Sequence, residues 1–142
     1  MPRLKGLAPV ALAGALLTGC AGAVSDAYVI ENDPGSVEHI EGSDVSKVTL
    51  TEAAARRLGV QTTRVVEALR GLVVPSAAVF VDPNGVWWVY TTGPAFSYVR
   101  HEVEVLRENG ERTVLSRGPA PGTGIVTVGV AELYGVESGV GH

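Results

Sequence analysis

The stretch that decides the fold is residues 74–105, VPSAAVFVDPNGVWWVYTTGPAFSYVRHEVEV. At its centre Asp82-Pro83-Asn84-Gly85 puts proline second and glycine fourth in a four-residue turn. Apolar runs rich in β-branched and aromatic residues, 78–81 and 86–91, flank that turn. Together they predict a β-hairpin. Gly93-Pro94 breaks the chain again. Residues 96–106 then alternate, with Val99, His101, Val103 and Val105 on one face and Arg100, Glu102 and Glu104 on the other. That alternation predicts one long strand, with His101 as a buried or half-buried structural histidine.

Outward from this unit the punctuation continues. C-terminally, Glu108-Asn109-Gly110-Glu111 predicts a second hairpin turn, residues 113–115 pair back, 118–124 form a Pro/Gly loop, and 125–128 form another strand. Residues 131–134 allow one helical turn. N-terminally, residues 72–74 are apolar and stop at Pro75, and residues 60–66 read as a β-branched strand. Ahead of it, Thr51 is a helix N-cap, Glu52 suits the positive helix start, Arg56 and Arg57 suit the negative end, and Gly59 suits the position just past it. The expectation is mainly β: a small antiparallel barrel or sandwich of about six strands with one short N-terminal helix.

The chain has 142 residues and a net charge of −4. Arg3 and Lys5 lie in the first 20 residues, which hold no acid; the remainder carries 9 basic and 15 acidic residues, a net of −6. No basic patch is evident to displace counterions, so nucleic acid is disfavoured as a partner.

Residues 1–20, MPRLKGLAPVALAGALLTGC, read as a basic start, an apolar run at 7–17, and Leu17-Thr18-Gly19-Cys20. That tetrad resembles the bacterial lipobox, in which a signal peptidase cuts before a cysteine whose thiol carries a diacylglyceryl group. The resemblance implies a signal peptide over 1–20 and lipidation at Cys20, the only cysteine of the chain. Two or more acyl chains, at roughly 0.8 kcal/mol per buried CH₂, anchor durably. An uncleaved membrane anchor and a buried structural cysteine are the alternatives; the first, like lipidation, places the rest of the chain outside the cytoplasm. Residues 21–46 are small, polar and acidic and read as a flexible tether. Order is expected from Lys47, with the β-domain at 47–135 and a tail at 136–142.

Few groups in the sequence have a pattern that suits chemistry. Glu38, His39, Glu41 and Asp44 fit no established metal-ligand spacing. Met1 is the only methionine, so soft thioether ligation of copper or silver is disfavoured. Ser76, Ser97 and Ser116 lack a nucleophile-elbow context. Gly122-Thr123-Gly124 is too short for a phosphate loop. The reading therefore assigns no catalytic residue, metal or cofactor. Trp87 and Trp88 are adjacent on a strand, so one faces the core and one faces outward, where it can anchor a partner or meet lipid headgroups. Trp87, Trp88, Tyr90, Tyr98 and Arg100 are the candidate partner contacts.

Val74-Pro75-Ser76-Ala77-Ala78-Val79, the hairpin ending in Trp88-Val89-Tyr90, Val99-Arg100-His101-Glu102-Val103-Glu104-Val105, Gly118-Pro119-Ala120-Pro121-Gly122 and Val126-Thr127-Val128-Gly129 occur in one order. In that order they resemble the membrane-proximal domain of periplasmic adaptor subunits, the membrane fusion proteins of RND-type and related exporters. Val48-Thr49-Leu50-Thr51 and Leu58-Gly59-Val60-Gln61-Thr62 are similar to the leading segment of the heavy-metal branch of that family. The resemblance covers residues 47–132. Counterparts of the lipoyl half-motifs, the helical hairpin and the separate barrel are missing, and Pro119 stands where the family has leucine. The resemblance implies a non-enzymatic, lipid-anchored extracytoplasmic domain that docks on an efflux-type membrane transporter subunit. A small ligand-binding lipoprotein and an envelope-assembly module are the alternative readings.

Overall fold

Alternating strands and tight turns produce eleven strands, not about six, in the computed structural model, which describes residues 34–139. They are β1 (Gly35–His39), β2 (Ser46–Leu50), β3 (Gln61–Arg64), β4 (Val66–Ala68), β5 (Gly71–Pro75), β6 (Phe80–Val81), β7 (Trp87–Thr92), β8 (Ser97–Glu102), β9 (Glu104–Asn109), β10 (Arg112–Arg117) and β11 (Gly124–Val128). Helices α1 (Glu52–Leu58) and α2 (Val130–Ser138) complete the described chain. One sheet has seven strands in the order β1-β2-β8-β7-β11-β3, with β6 on β7; the other has four in the order β4-β5-β10-β9. All pairings are antiparallel. Neither sheet closes on itself, so the molecule is not a barrel. Nor is its first helix N-terminal to the strands: β1 and β2 precede α1.

The seven-stranded sheet is the middle layer, because successive residues on a strand point to opposite faces. Tyr90 of β7 and Val126 of β11 join Val48, Leu50 and Tyr98 against Ala54 and Ala55 of α1 and Val130 and Leu133 of α2. Their neighbours Val89 and Ile125 join Val74, Val103 and Leu115 in the core between the sheets. Phe80 stacks on Tyr90 at 5.3 Å between ring centroids and meets Tyr134 of α2 at 5.5 Å. Each fully buried side chain of this size contributes roughly 1.5–3 kcal/mol relative to exposure.

Two buried valines explain why expected continuous strands are broken. Val65 lies between β3 and β4; its N–H donates to the Thr123 carbonyl and its carbonyl accepts from Gly122 N–H. Val103 lies between β8 and β9, and its N–H donates to the Trp87 carbonyl. At each valine the chain leaves one sheet for the other, so residues 96–106 are two strands. His101 is consequently exposed, contrary to expectation.

The helix at 52–58 ends as its sequence dictates. Thr51 Oγ1 accepts the Ala54 N–H at 3.1 Å, and Gly59 adopts the left-handed conformation, φ 62°. Two boundaries are corrected. The tether reading of 21–46 fails from Gly35 onward, because β1 pairs along its length with β2; residues 21–33 lie outside the described residues. The tail reading of 136–142 fails over 136–138, which continue α2. Among the described residues no helix is long and apolar enough to cross a membrane. Cys20 and the signal-peptide reading lie outside the described residues.

The register gives the seven-stranded sheet two distinct ends. Gly35, Leu50, Thr92, Ser97, Gly124 and Arg64 lie at one, where the described chain begins. His39, Ser46, Glu102 and Trp88 lie at the other.

Candidate functional site: a groove at one end of the seven-stranded sheet

At the end away from Gly35, the turn joining β1 to β2 overhangs the last residues of β8. Between them runs an open groove of about 900 Å³, lined by His39, Asp44, Trp88, Arg100, His101 and Arg117 among others. Two of its lining residues, Trp88 and Arg100, belong to a buried polar network drawn from the β6–β7 turn, β7, β8, α2 and the start of β2. The Asp82 carboxylate accepts from Trp88 Nε1 at 3.1 Å and from the N–H groups of Asn84 and Val86 at 2.9 and 3.0 Å. Burial alone pushes the Asp82 carboxyl up, but the donors Val86, Trp88 and Asn84 outweigh it and hold it below the ordinary carboxylate value. The proline turn that closes the hairpin therefore also fixes an ionised carboxylate beneath Trp88.

Arg100 is the hub. Its guanidinium carbon sits 4.5 Å from the centre of the Trp88 ring, a cation–π contact. One terminal nitrogen donates to the Asp44 carbonyl at 2.9 Å, and the other lies 3.9 Å from Asp82 Oδ2. Its Nε is 3.0 Å from Glu137 Oε1, but the N–H is not aimed at that oxygen, so the contact is ionic rather than hydrogen-bonded. Glu137 Oε1 instead accepts the Ser46 N–H at 3.1 Å, and its Oε2 accepts the Tyr90 hydroxyl at 2.5 Å. Burial, then the bond to Glu137, push the Tyr90 hydroxyl far above its ordinary value. At the outer wall Arg117 pairs with Glu102 at 3.3 Å and Glu104 at 3.0 Å.

This arrangement sorts the sequence-stretch candidates. Trp87 packs against the inter-sheet core, and Trp88 lies on the opposite face and lines the groove, as adjacency on a strand requires. Arg100 also lines it. Tyr90 and Tyr98 do not form a contact surface: they are 0% and 4% exposed, because their strand positions face the helices. Burial also raises the Tyr98 hydroxyl's pKa. Sequence reasoning missed Asp82, which reads as a turn residue alone, and Glu137, which falls in the presumed tail. His39, read as part of the tether, and His101, read as a buried or half-buried structural residue, are both exposed and line the groove. The one available signal for Glu137 was its type, an acid at a helix C-terminus, which the macrodipole disfavours unless a cation answers it.

Chemically, the buried polar atoms here are tied to one another and hold the β6–β7 turn, β2, β7, β8 and α2 together. What the groove offers outward is an indole, two imidazoles, the Asp44 carboxylate and the Arg117–Glu102 ion pair. No protein-family model matches the chain, and no curated protein matches its sequence.

Proposed function

We propose that the chain is a non-enzymatic, lipid-anchored extracytoplasmic domain of the adaptor type, which docks on an efflux-type membrane transporter subunit through the groove beside Trp88. One observation carries this reading: the groove lies at the end of the seven-stranded sheet opposite the point where the described chain begins, at Pro34. A chain anchored at Cys20 joins the fold at one end and presents the groove at the other. The segment from Cys20 to Pro34 spans at most about 50 Å, so the anchor confines the groove to a shell near the membrane. Docking there becomes a high-effective-concentration event. The order of the adaptor-like motifs supports the same reading. The mechanism is positional: lipid sets location, the connecting segment sets reach, and the groove makes the contact.

The groove's volume favours a second reading, a small ligand-binding lipoprotein, since about 900 Å³ suits a small molecule. Its open side and internally paired charges favour a macromolecular surface. Crosslinking in native membranes with a tagged chain, followed by mass spectrometry, separates the two. Enrichment of a transporter permease that is lost in Cys20→Ala supports docking. A captured set without any transporter, alongside a bound small molecule, overturns docking and supports the second reading.

A further inference from the structure

The opposite end of the sheet carries a feature that the docking groove does not use. The β7–β8 loop holds Ala95 at φ 55° and Phe96 at φ 57°, two consecutive non-glycine residues in the left-handed region. Such strain persists where the surroundings over-determine it, and it concentrates at functional sites. The constraints here are explicit. Phe96 carbonyl accepts the Leu50 N–H at 3.0 Å, Ser97 Oγ donates to the Pro94 carbonyl at 2.7 Å, and Gly93 N–H donates to the Ser97 carbonyl at 2.8 Å. The product is a hydrogen-bonded loop that holds a phenylalanine 44% exposed.

Three further observations say what covers it. Phe96 shares a cleft with Arg56, at the last turn of α1. Helix α1 and strand β3 together carry Arg56, Arg57 and Arg64 against Glu52 alone, in a chain whose net charge is −4. Arg56 is paired with Glu52, while Arg57 is exposed and forms no ion pair among the described residues. Finally, Pro34, where the described chain begins, accepts the Thr51 N–H, and Leu50 beside it donates to Phe96. Pro34, the first described residue, is therefore joined through Thr51 and Leu50 to this loop.

We infer that the Phe96 loop and the arginines of α1 form a membrane-contact surface for an anionic bilayer. Phe96 enters the interfacial region while Arg56 and Arg57 meet lipid phosphates. An expected lipid contact by an outward tryptophan is thereby moved: Trp88 lies at the far end, and Phe96 is the aromatic beside the anchor side. The orientation that results turns the groove away from the bilayer, so the inference deepens the docking reading and rests on it for the anchor.

The test uses the full chain with a fluorescent amino acid placed at position 94, in the loop, or at position 41, in the β1–β2 turn. The protein is mixed with phosphatidylcholine/phosphatidylglycerol vesicles that contain a quencher-bearing lipid. Quenching at position 94 is expected to exceed that at position 41 by about threefold or more. It should fall to the level of position 41 in the combined variant Phe96→Ser, Arg56→Gln, Arg57→Gln, and should weaken with pure phosphatidylcholine or with about 0.5 M salt. Equal quenching at the two positions, or quenching at 94 that ignores the three substitutions, overturns the inference; a melting curve for the combined variant confirms that it is folded. The mass of the peptide holding Cys20 reports acylation separately. An unmodified cysteine with the contrast between 94 and 41 intact removes only the anchor reading.

Discussion

Removing one oxygen, as Tyr90→Phe, isolates the bond between Tyr90 and Glu137 in the network beneath the groove. Glu137 keeps Ser46 and Arg100 but loses its one hydroxyl donor among the described residues. A hydrogen bond to a charged partner contributes roughly 1.5–3 kcal/mol, so the urea midpoint should fall by about that amount with an unchanged m-value. The same residue sets an alkaline limit. Its folded pKa is raised, so its stabilisation is complete below the unfolded value of about 10 and is lost as pH climbs beyond it. Tyr90→Phe should accordingly be less stable than wild type at pH 7 and should lose less further stability above pH ~10. Asp82 has the opposite sign. Its folded pKa is depressed, so its contribution is present at neutral pH and fades as pH falls through about 4 and below. Asp82→Asn should lower the melting temperature at pH 7 by several degrees and differ little from wild type near pH 2.

At the scale of elements, α2 shows how far tertiary packing overrides local signals. Its N-cap is Gly129 with no side-chain cap, its sequence contains Gly135, and its last turn carries Glu137. Each of these weakens an isolated helix, and only one turn was legible from sequence. The helix exists because Leu133, 0% exposed, seats among Val48, Leu50 and Tyr90, and because Arg100 answers the misplaced acid. Leu133→Ala should destabilise the domain by about 2–4 kcal/mol and melt α2 with the sheet, read by urea titration and circular dichroism. Helix α1 is the converse: Thr51, Glu52, Arg57 and Gly59 stated its limits outright. The proline-turn hairpin was equally legible, and its register matches, Phe80 opposite Trp88. Strand β1 was not, because four of its five residues are exposed and no alternation marks a solvent-washed edge strand. The sheet crossings at Val65 and Val103 were also hidden, since the alternation runs on while the partner strand changes. For the same reason the groove could not be read: Arg100 and Trp88 were visible as candidates, but Asp82 and Glu137 reach them only through the folded turn and α2.

At the scale of the molecule, the middle sheet is a spacer with two unlike ends. One combines the start of the described chain, a strained Phe96 loop and the arginines of α1 and β3. The other combines an aromatic groove with Asp44, Glu102 and a closed network around Arg100. The separation follows from antiparallel strands: the β1–β2 hairpin turns at one end and the β7–β8 hairpin at the other. Arg100 itself is a poor probe of docking, since truncating it leaves Glu137 and Asp82 buried without their cation, a change that typically costs 3–5 kcal/mol. Exposed His101 and loop residue Pro94 probe the two ends without touching that network. The most direct measurement places a photocrosslinking amino acid at position 101 or at position 94 in the full chain and irradiates native membranes. Adducts with a transporter subunit are expected from position 101 and adducts with lipid from position 94. Lipid adducts from position 101, or transporter adducts from position 94 alone, would contradict this assignment of the two ends.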